Sequence, residues 1–247
     1  MSWPRRAVLF QIVRLWNFMA TVQIALVLWD DFEMRAFSIR LCLIGLFLSF
    51  SSTAQAHPHA WVDVKVQILF DDMQRAYAIK QEWLFDDLYS VFVTSGADMD
   101  GDGRPDQEAL DAVMKENIEN LREFEYFTDI KSGEMKIQSS RAIDVTTRME
   151  GKRLQMTFTL PFNEPVAVTD MPLQYAIYDP TYYVEMVHAE VDDAITMSDA
   201  PEACRAVLEQ PNPDPNQVII ASSLSQTQTA GDGLGQYFAE KVSIVCS

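Results

Sequence analysis

The sequence predicts an α+β fold: antiparallel sheet or sheets with an inserted helix–acidic loop–helix segment at about residues 86–126. Three observations predict it. Residues 60–70 alternate, with Val62, Val64, Val66, Ile68 and Phe70 on one face and Trp61, Asp63, Lys65 and Gln67 on the other, which is the period of a half-buried strand. The alternation returns late in the chain, where Leu154, Met156, Phe158 and Leu160 interleave with Gln155, Thr157 and Thr159. Between these blocks one stretch has helical spacing: Leu110, Val113, Met114, Ile118, Leu121 and Phe124. Its other positions are polar, as on an amphipathic helix. Strands grouped apart from the helix argue for α+β over a βαβ wind.

The remaining elements follow in order. Residues 75–85 form an antiparallel partner for the first strand, joined to it by a turn at Asp71-Asp72. Residues 88–93 are short, apolar and helical. Asp106 stands at the N-cap of the long helix. Residues 143–148, 154–160, 173–178 and 182–189 are strands, and residues 241–246 close the fold as another. Pro211, Pro213 and Pro215 mark an extended loop, and residues 222–233 are polar and irregular. No internal repeat is present.

The first 56 residues differ in character. Met34, Arg35 and Arg40 give a basic start, residues 41–50 are apolar, and Ala54-Gln55-Ala56 is the small-x-small pattern of a signal-peptidase site. Residues 34–56 therefore read as a signal peptide, cleaved after Ala56 to release the protein into the periplasm. The apolar run is shorter than the roughly 20 residues of a membrane span. Residues 1–33 carry a second apolar stretch closed by Asp30, Asp31 and Glu33. They read as a mis-called extension upstream of a true start at Met34; the alternative is a membrane anchor built from both stretches. Residues 57–247 are then a single mature domain.

The whole chain has 19 basic and 36 acidic residues and a net charge of −17. Removing residues 1–56 takes away five arginines and three acids, which leaves 14 basic and 33 acidic residues and a net charge of −19. Such a surface repels nucleic acid and anionic lipid and concentrates cations. It excludes nucleic-acid binding, and after cleavage it gives no direct membrane binding. Two cysteines survive cleavage, Cys204 and Cys246. In an exported chain an isolated pair is most simply a disulfide, worth about 4 kcal/mol in the chain-entropy model.

Cleavage after Ala56 leaves His57-Pro58-His59-Ala60-Trp61-Val62-Asp63 at the new terminus. His57, His59, Trp61 and Asp63 share parity, so an extended chain puts them on one face. Two imidazoles, an α-amine and a carboxylate suit zinc or copper better than magnesium or calcium. Pro58 lacks the amide proton that a square-planar copper or nickel mode needs, so side-chain ligation is left. The bland reading is a frayed terminus with two solvated histidines. Zinc needs a third ligand, and Asp63 and His188 are the two candidates. His188 has the parity of Val184 and Met186, which also suits a packed histidine.

A second cation signal runs from Asp98 to Asp106. Asp98, Asp100, Asp102, the backbone at Arg104, and Asp106 match EF-hand ligand positions, with Gly103 at the sharp turn and a helix following. Position 12 is Ala109, and Glu108 sits one residue early. Weak calcium binding follows, at a Kd of about 10⁻⁴ to 10⁻³ M; the alternative is a solvated acidic turn. Residues 178–183, Tyr-Asp-Pro-Thr-Tyr-Tyr, read as a structural turn between two strands. No nucleophile elbow, phosphate loop or His-Glu-x-x-His motif occurs, and nothing compels an enzyme.

With these residues in view the chain resembles the domain of unknown function 1007 family over essentially all of residues 54–247. The resemblance rests on Ala56-His57-Pro58-His59-Ala60-Trp61-Val62-Asp63, the acidic loop, Asn120-Leu121 through Tyr126-Phe127, Phe158-Thr159-Leu160-Pro161, residues 178–183 and the cysteine pair. It implies a periplasmic partner of a nickel/cobalt/zinc-type membrane transporter, zinc as the metal handled, and His57 and His59 as the handling residues. The family's loop usually ends in an acid, where this chain has Ala109. The expected function is thus a metal-binding accessory protein. The alternatives are a non-catalytic, calcium-stabilised interaction module of the envelope and a copper enzyme of the histidine-brace kind.

Overall fold

The computed structural model describes residues 58–98, 101–102, 104–169, 171–224, 228–231 and 233–246. All of them belong to the unit spanning Gln55–Ser247. The signal peptide, the upstream extension, His57 and Asp100 lie outside the described residues.

The α+β expectation holds. The first strand, β1 (Ala60–Phe70), buries alternate residues from Ala60 to Phe70, each large one contributing roughly 1.5–3 kcal/mol. It turns at residues 71–74 into β2 (Arg75–Phe85), antiparallel to it. Asp71 fixes that turn by accepting the backbone N–H of Met73 and Arg75 and pairing with the Arg75 guanidinium at 2.7 Å. Helix α1 (Asp87–Thr94) and helix α2 (Gln107–Leu121) flank the acidic loop, as the insert predicts.

The remaining strands are β3 (Thr128–Ser132), β4 (Met135–Lys136), β5 (Ile143–Glu150), β6 (Arg153–Ala167), β7 (Leu173–Ile177), β8 (Val184–His188), β9 (Ile195–Ser198), β10 (Cys204–Glu209) and β11 (Lys241–Cys246), with helix α3 (Pro215–Ser223) before the last. Among the described residues they form two sheets, one ordered β5-β6-β2-β1-β8 with β9 also on β1, the other β10-β11-β7-β3-β4. Pairing is antiparallel except at one edge, where β8 and β9 run parallel to the two halves of β1.

That exception changes the reading of residues 178–183. They do not close a hairpin: β7 lies in the second sheet and β8 in the first, so the segment is a crossover between layers. The core lies between the sheets, where Val64, Trp83 and Phe158 of the first meet Ile130, Tyr175 and Ile244 of the second. Leu110, Met114 and Ile118 of α2 complete it.

Several elements depart from expectation. Helix α2 stops at Leu121 rather than running through Phe124, because Glu125, Tyr126 and Phe127 take left-handed backbone, with φ of 52°, 55° and 54°. The region after the prolines holds α3. Pro215 sits in its first turn, and Asp214 and Gln217 form a capping box. Short strands β3, β4, β9 and β10 are paired by the sheets without announcing themselves by period. Cys204 and Cys246 are register partners on β10 and β11 and form the expected disulfide. Among the described residues no helix is long and apolar enough to cross a membrane.

Candidate functional site at the head of β1

The N-terminal end of β1 is held from three sides. The His59 N–H donates to the Tyr183 carbonyl at 2.9 Å, and the His59 ring stacks on the Tyr183 ring at 4.6 Å with an interplanar angle of 3°. One residue on, β8 begins to pair with β1. Asp86, the N-cap of α1, accepts the N–H groups of Leu88 and Tyr89 with one oxygen and the Trp61 N–H with the other, at 2.9 Å. A single carboxylate thus satisfies a helix start and ties it to β1.

The crossover at residues 178–183 forms the next wall. Asp179 is buried, and its carboxylate accepts the N–H groups of Thr181, Tyr183 and Val184 and the Thr181 hydroxyl, all at 2.9–3.1 Å. These bonds fix the Asp-Pro turn locally. Behind it Tyr182 stacks on Phe238 at 4.2 Å, and Pro180 O accepts the N–H groups of Gly233 and Gly235. Burial, then Glu185, pushes the Tyr182 hydroxyl up to about 12. Gly235 is required there, since a Cβ would stand 1.9 Å from the Asp179 carbonyl oxygen.

The opposite wall is the left-handed turn after α2. Left-handed backbone costs a non-glycine residue roughly 1–2 kcal/mol, and three in succession concentrate strain at this point. Strain of this kind gathers at functional sites. Hydrogen bonds offset it: the Tyr126 carbonyl accepts from the Thr128 hydroxyl, the Phe127 carbonyl from the Tyr178 N–H, and the Tyr126 hydroxyl from the Ala142 N–H. The result sets Phe127 against Trp83, ring planes within 10°.

Between these walls lies a cavity of about 490 Å³, within the usual range for small-molecule sites. Val62, Trp83, Phe85, Met156 and Met186 floor it, all buried. Tyr89, Leu121, Phe124, Phe127 and Tyr183 rim it. Asn117, Asn120, Thr181 and Thr229 supply polar groups.

Among the described residues the sequence-predicted metal ligands do not converge. His59 and Asp63 share the outward parity of β1, but Asp63 pairs with Arg153 at 2.7 Å, whose guanidinium also donates to the Leu84 and Phe85 carbonyls. His188 is in register with Val64, which puts its side chain on the opposite, buried face of the sheet. There the His188 ring spans the two layers: Nδ1 lies 2.8 Å from Glu240 and Nε2 3.0 Å from the Tyr175 hydroxyl. A neutral ring with its proton on Nδ1 satisfies both neighbours. Burial works to raise the Glu240 carboxyl, but the His188 ring, the His188 backbone N–H and the Gln210 amide together hold it below the ordinary glutamate value. Burial, then Glu240, pushes the Tyr175 hydroxyl well up. Among the described residues no three His, Cys, Asp or Glu side chains gather to hold a metal. Neither Asp63 nor His188, the two candidates for a third ligand, is therefore set beside His59 to complete a zinc site.

In the acidic loop the Asp98 carboxylate accepts the Gly101 N–H and the Asp102 carboxylate the Arg104 N–H, both at 2.8 Å. Gly101 has φ +79°, a conformation open to glycine. Asp106 occupies the N-cap of α2 and its carbonyl accepts the Leu110 N–H, though its carboxylate does not bond the first turn. Glu108 is exposed one residue before Ala109 in that turn.

The cavity is what sequence reasoning missed. The signal was present in scattered form: Ala60, Asn120, Leu121, Phe127, Asp179 and Tyr183 all line it, and they fall within three of the separate motifs that carry the family resemblance. Comparison with known proteins agrees with that resemblance. The family described as "Protein of unknown function (DUF1007)" matches residues 42–246. An uncharacterised protein of Haemophilus influenzae is 31% identical over 214 residues, 86% of this chain and 100% of that protein. An uncharacterised 15.5 kDa protein of Spirochaeta aurantia is 27% identical over 90 residues, 36% of this chain and 64% of that protein. No solved structure matches. The chain belongs to the DUF1007 family of proteins of unknown function.

Proposed function

We propose that the protein is a periplasmic metal-binding accessory that handles zinc for a membrane transporter of the nickel/cobalt/zinc type. Its binding element is the terminus that cleavage after Ala56 would expose. The observation that supports this reading is the anchoring of His59, held to Tyr183 by a backbone hydrogen bond and by ring stacking. An anchored imidazole two residues from the new amine loses less freedom on binding than one on a loose tail. Asp63 is engaged by Arg153 and His188 lies on the other face, so this reading assigns the ion to His57, His59 and the α-amine. The strongly negative net charge raises the local concentration of cations.

The test is isothermal titration of the exported, processed protein with zinc and with copper. Tight zinc binding should be lost when His57 and His59 are both replaced by alanine. It should weaken as pH falls through about 6.5, where imidazole protonates. One residue added before His57 should weaken it if the amine is a ligand. Unaltered zinc affinity in the double variant would sink the reading. Copper preference with redox activity would favour the histidine-brace alternative instead.

The turns closed by the Asp98 and Asp102 carboxylates support a second reading, a calcium-stabilised interaction module. Calcium at about 100 times its Kd should add about 2.7 kcal/mol of stability. Asp100→Ala with Asp102→Ala should remove that response, and an unchanged melting temperature at that saturating concentration, roughly 10–100 mM calcium for the expected Kd, would point to a solvated acidic turn.

A further inference from the structure

We propose that the cavity at the head of β1 is a binding site for an organic cation, a small molecule with an apolar body and an ammonium-type head. The inference needs neither histidine nor a metal, so it stands apart from the zinc reading. Its first support is shape and chemistry. The cavity holds about 490 Å³ and presents six aromatic rings, those of Trp83, Phe85, Tyr89, Phe124, Phe127 and Tyr183. Aromatic faces attract cations through the ring quadrupole, most strongly where water is excluded.

Charge is the second support. Among the described residues lining the cavity none is lysine or arginine, so an anionic head would find no partner among them. The carboxylate in the lining, Asp179, is already turned onto Thr181, Tyr183 and Val184. It leaves a negative field without forming a competing ion pair. The chain as a whole carries −17, which favours entry of cations and disfavours fatty acids and other anions. The amides of Asn117 and Asn120 and the hydroxyls of Thr181 and Thr229 can orient a polar substituent.

A third support is the effort built into one wall. Three successive left-handed residues, Glu125, Tyr126 and Phe127, are held in place, and their outcome is the position of Phe127 against Trp83. Phe124, 51% exposed at the rim, leaves a ring face open to an incoming group.

The experiment titrates the exported protein, with EDTA present, against octyltrimethylammonium, 1-octanol and octanoate, which share one body and differ in head charge. The ammonium should bind about tenfold more tightly than the alcohol, and octanoate more weakly than both. Phe124→Leu keeps apolar bulk and net charge but removes a ring. It should erase most of the ammonium's advantage and leave octanol unchanged, which separates ring recognition from the general acidic field. Asn120→Lys, at an exposed position of the lining, should repel the ammonium and spare octanol. Equal binding of ammonium and alcohol, tighter binding of octanoate, or a Phe124→Leu variant that keeps the full preference would each overturn the proposal.

Discussion

Trp83 donates its indole N–H to the Gln81 Oε1 at 2.9 Å, deep between the two sheets. The Gln81 amide then donates to the Thr128 hydroxyl at 2.9 Å, and that hydroxyl donates to the Tyr126 carbonyl at 2.7 Å. One buried chain of hydrogen bonds therefore runs from the cavity floor in β2, across the layers to β3, and into the left-handed turn. Gln81 is fully buried yet satisfied at both ends, which is the condition under which a core tolerates an amide.

Gln81→Met should destabilise the fold by about 2–3 kcal/mol, because the Trp83 N–H loses a buried acceptor and Thr128 a donor. Urea denaturation measures it. A loss below about 0.5 kcal/mol, the size of an ordinary surface change, would mean that the chain contributes little.

Acid stability should depend on Glu240. Its carboxyl is held below the ordinary value in the folded protein, so it contributes stability above the unfolded carboxylate pKa of about 4.3. That contribution is lost as pH falls through 4.3 toward the folded value. Glu240→Gln should flatten the decline of unfolding free energy below about pH 5, at the expense of stability near neutrality. An unchanged slope would show that other carboxylates govern the decline.

The close approach of Gly235 to Asp179 predicts a large response to a single methyl group. Gly235→Ala places a Cβ where the Asp179 carbonyl oxygen now lies, and backbone on both sides must move. The expected loss is about 1–3 kcal/mol, as for overpacking, with the Tyr182–Phe238 stack disturbed. A variant as stable as the parent, read by thermal melting, would contradict the clamp.

The bridge between Cys204 and Cys246 closes a separation of 42 residues. Thiol labelling of denatured, unreduced exported protein should find neither residue free, and reduction should release both. Replacing both by serine should lower stability by up to about 4 kcal/mol in the chain-entropy model. A serine variant that unfolds at the parent's urea midpoint would leave the bridge without a stabilising role.

Much of the architecture was legible locally. The two-residue period of residues 60–70 names the buried face of β1 outright, because a strand's side chains alternate and only one face can be apolar at a half-buried sheet. The acidic loop and α2 were legible for a similar reason: turn chemistry and helical period are properties of neighbours in sequence. Even α3, which was missed, had its capping box in Asp214 and Gln217.

What the sequence could not decide is which faces meet. Strand parity along one segment puts His59 and Asp63 on one face, but it cannot say whether His188, the rival third ligand, shares that face. The parallel register of β8 on β1 places His188 beside Val64, and parity of a partner strand is fixed only by pairing. Asp63 became an ion-pair partner because Arg153, 90 positions away in sequence, is brought to it across the sheet. Residues 178–183 read locally as a turn, but only the layering makes them a crossover between two sheets. The cavity likewise has no local signature, since its wall is assembled from β1, β2, α2, the left-handed turn and that crossover. Local chemistry determined the elements and their caps; long-range pairing, which depends on loop closure and burial over the whole chain, decided the site.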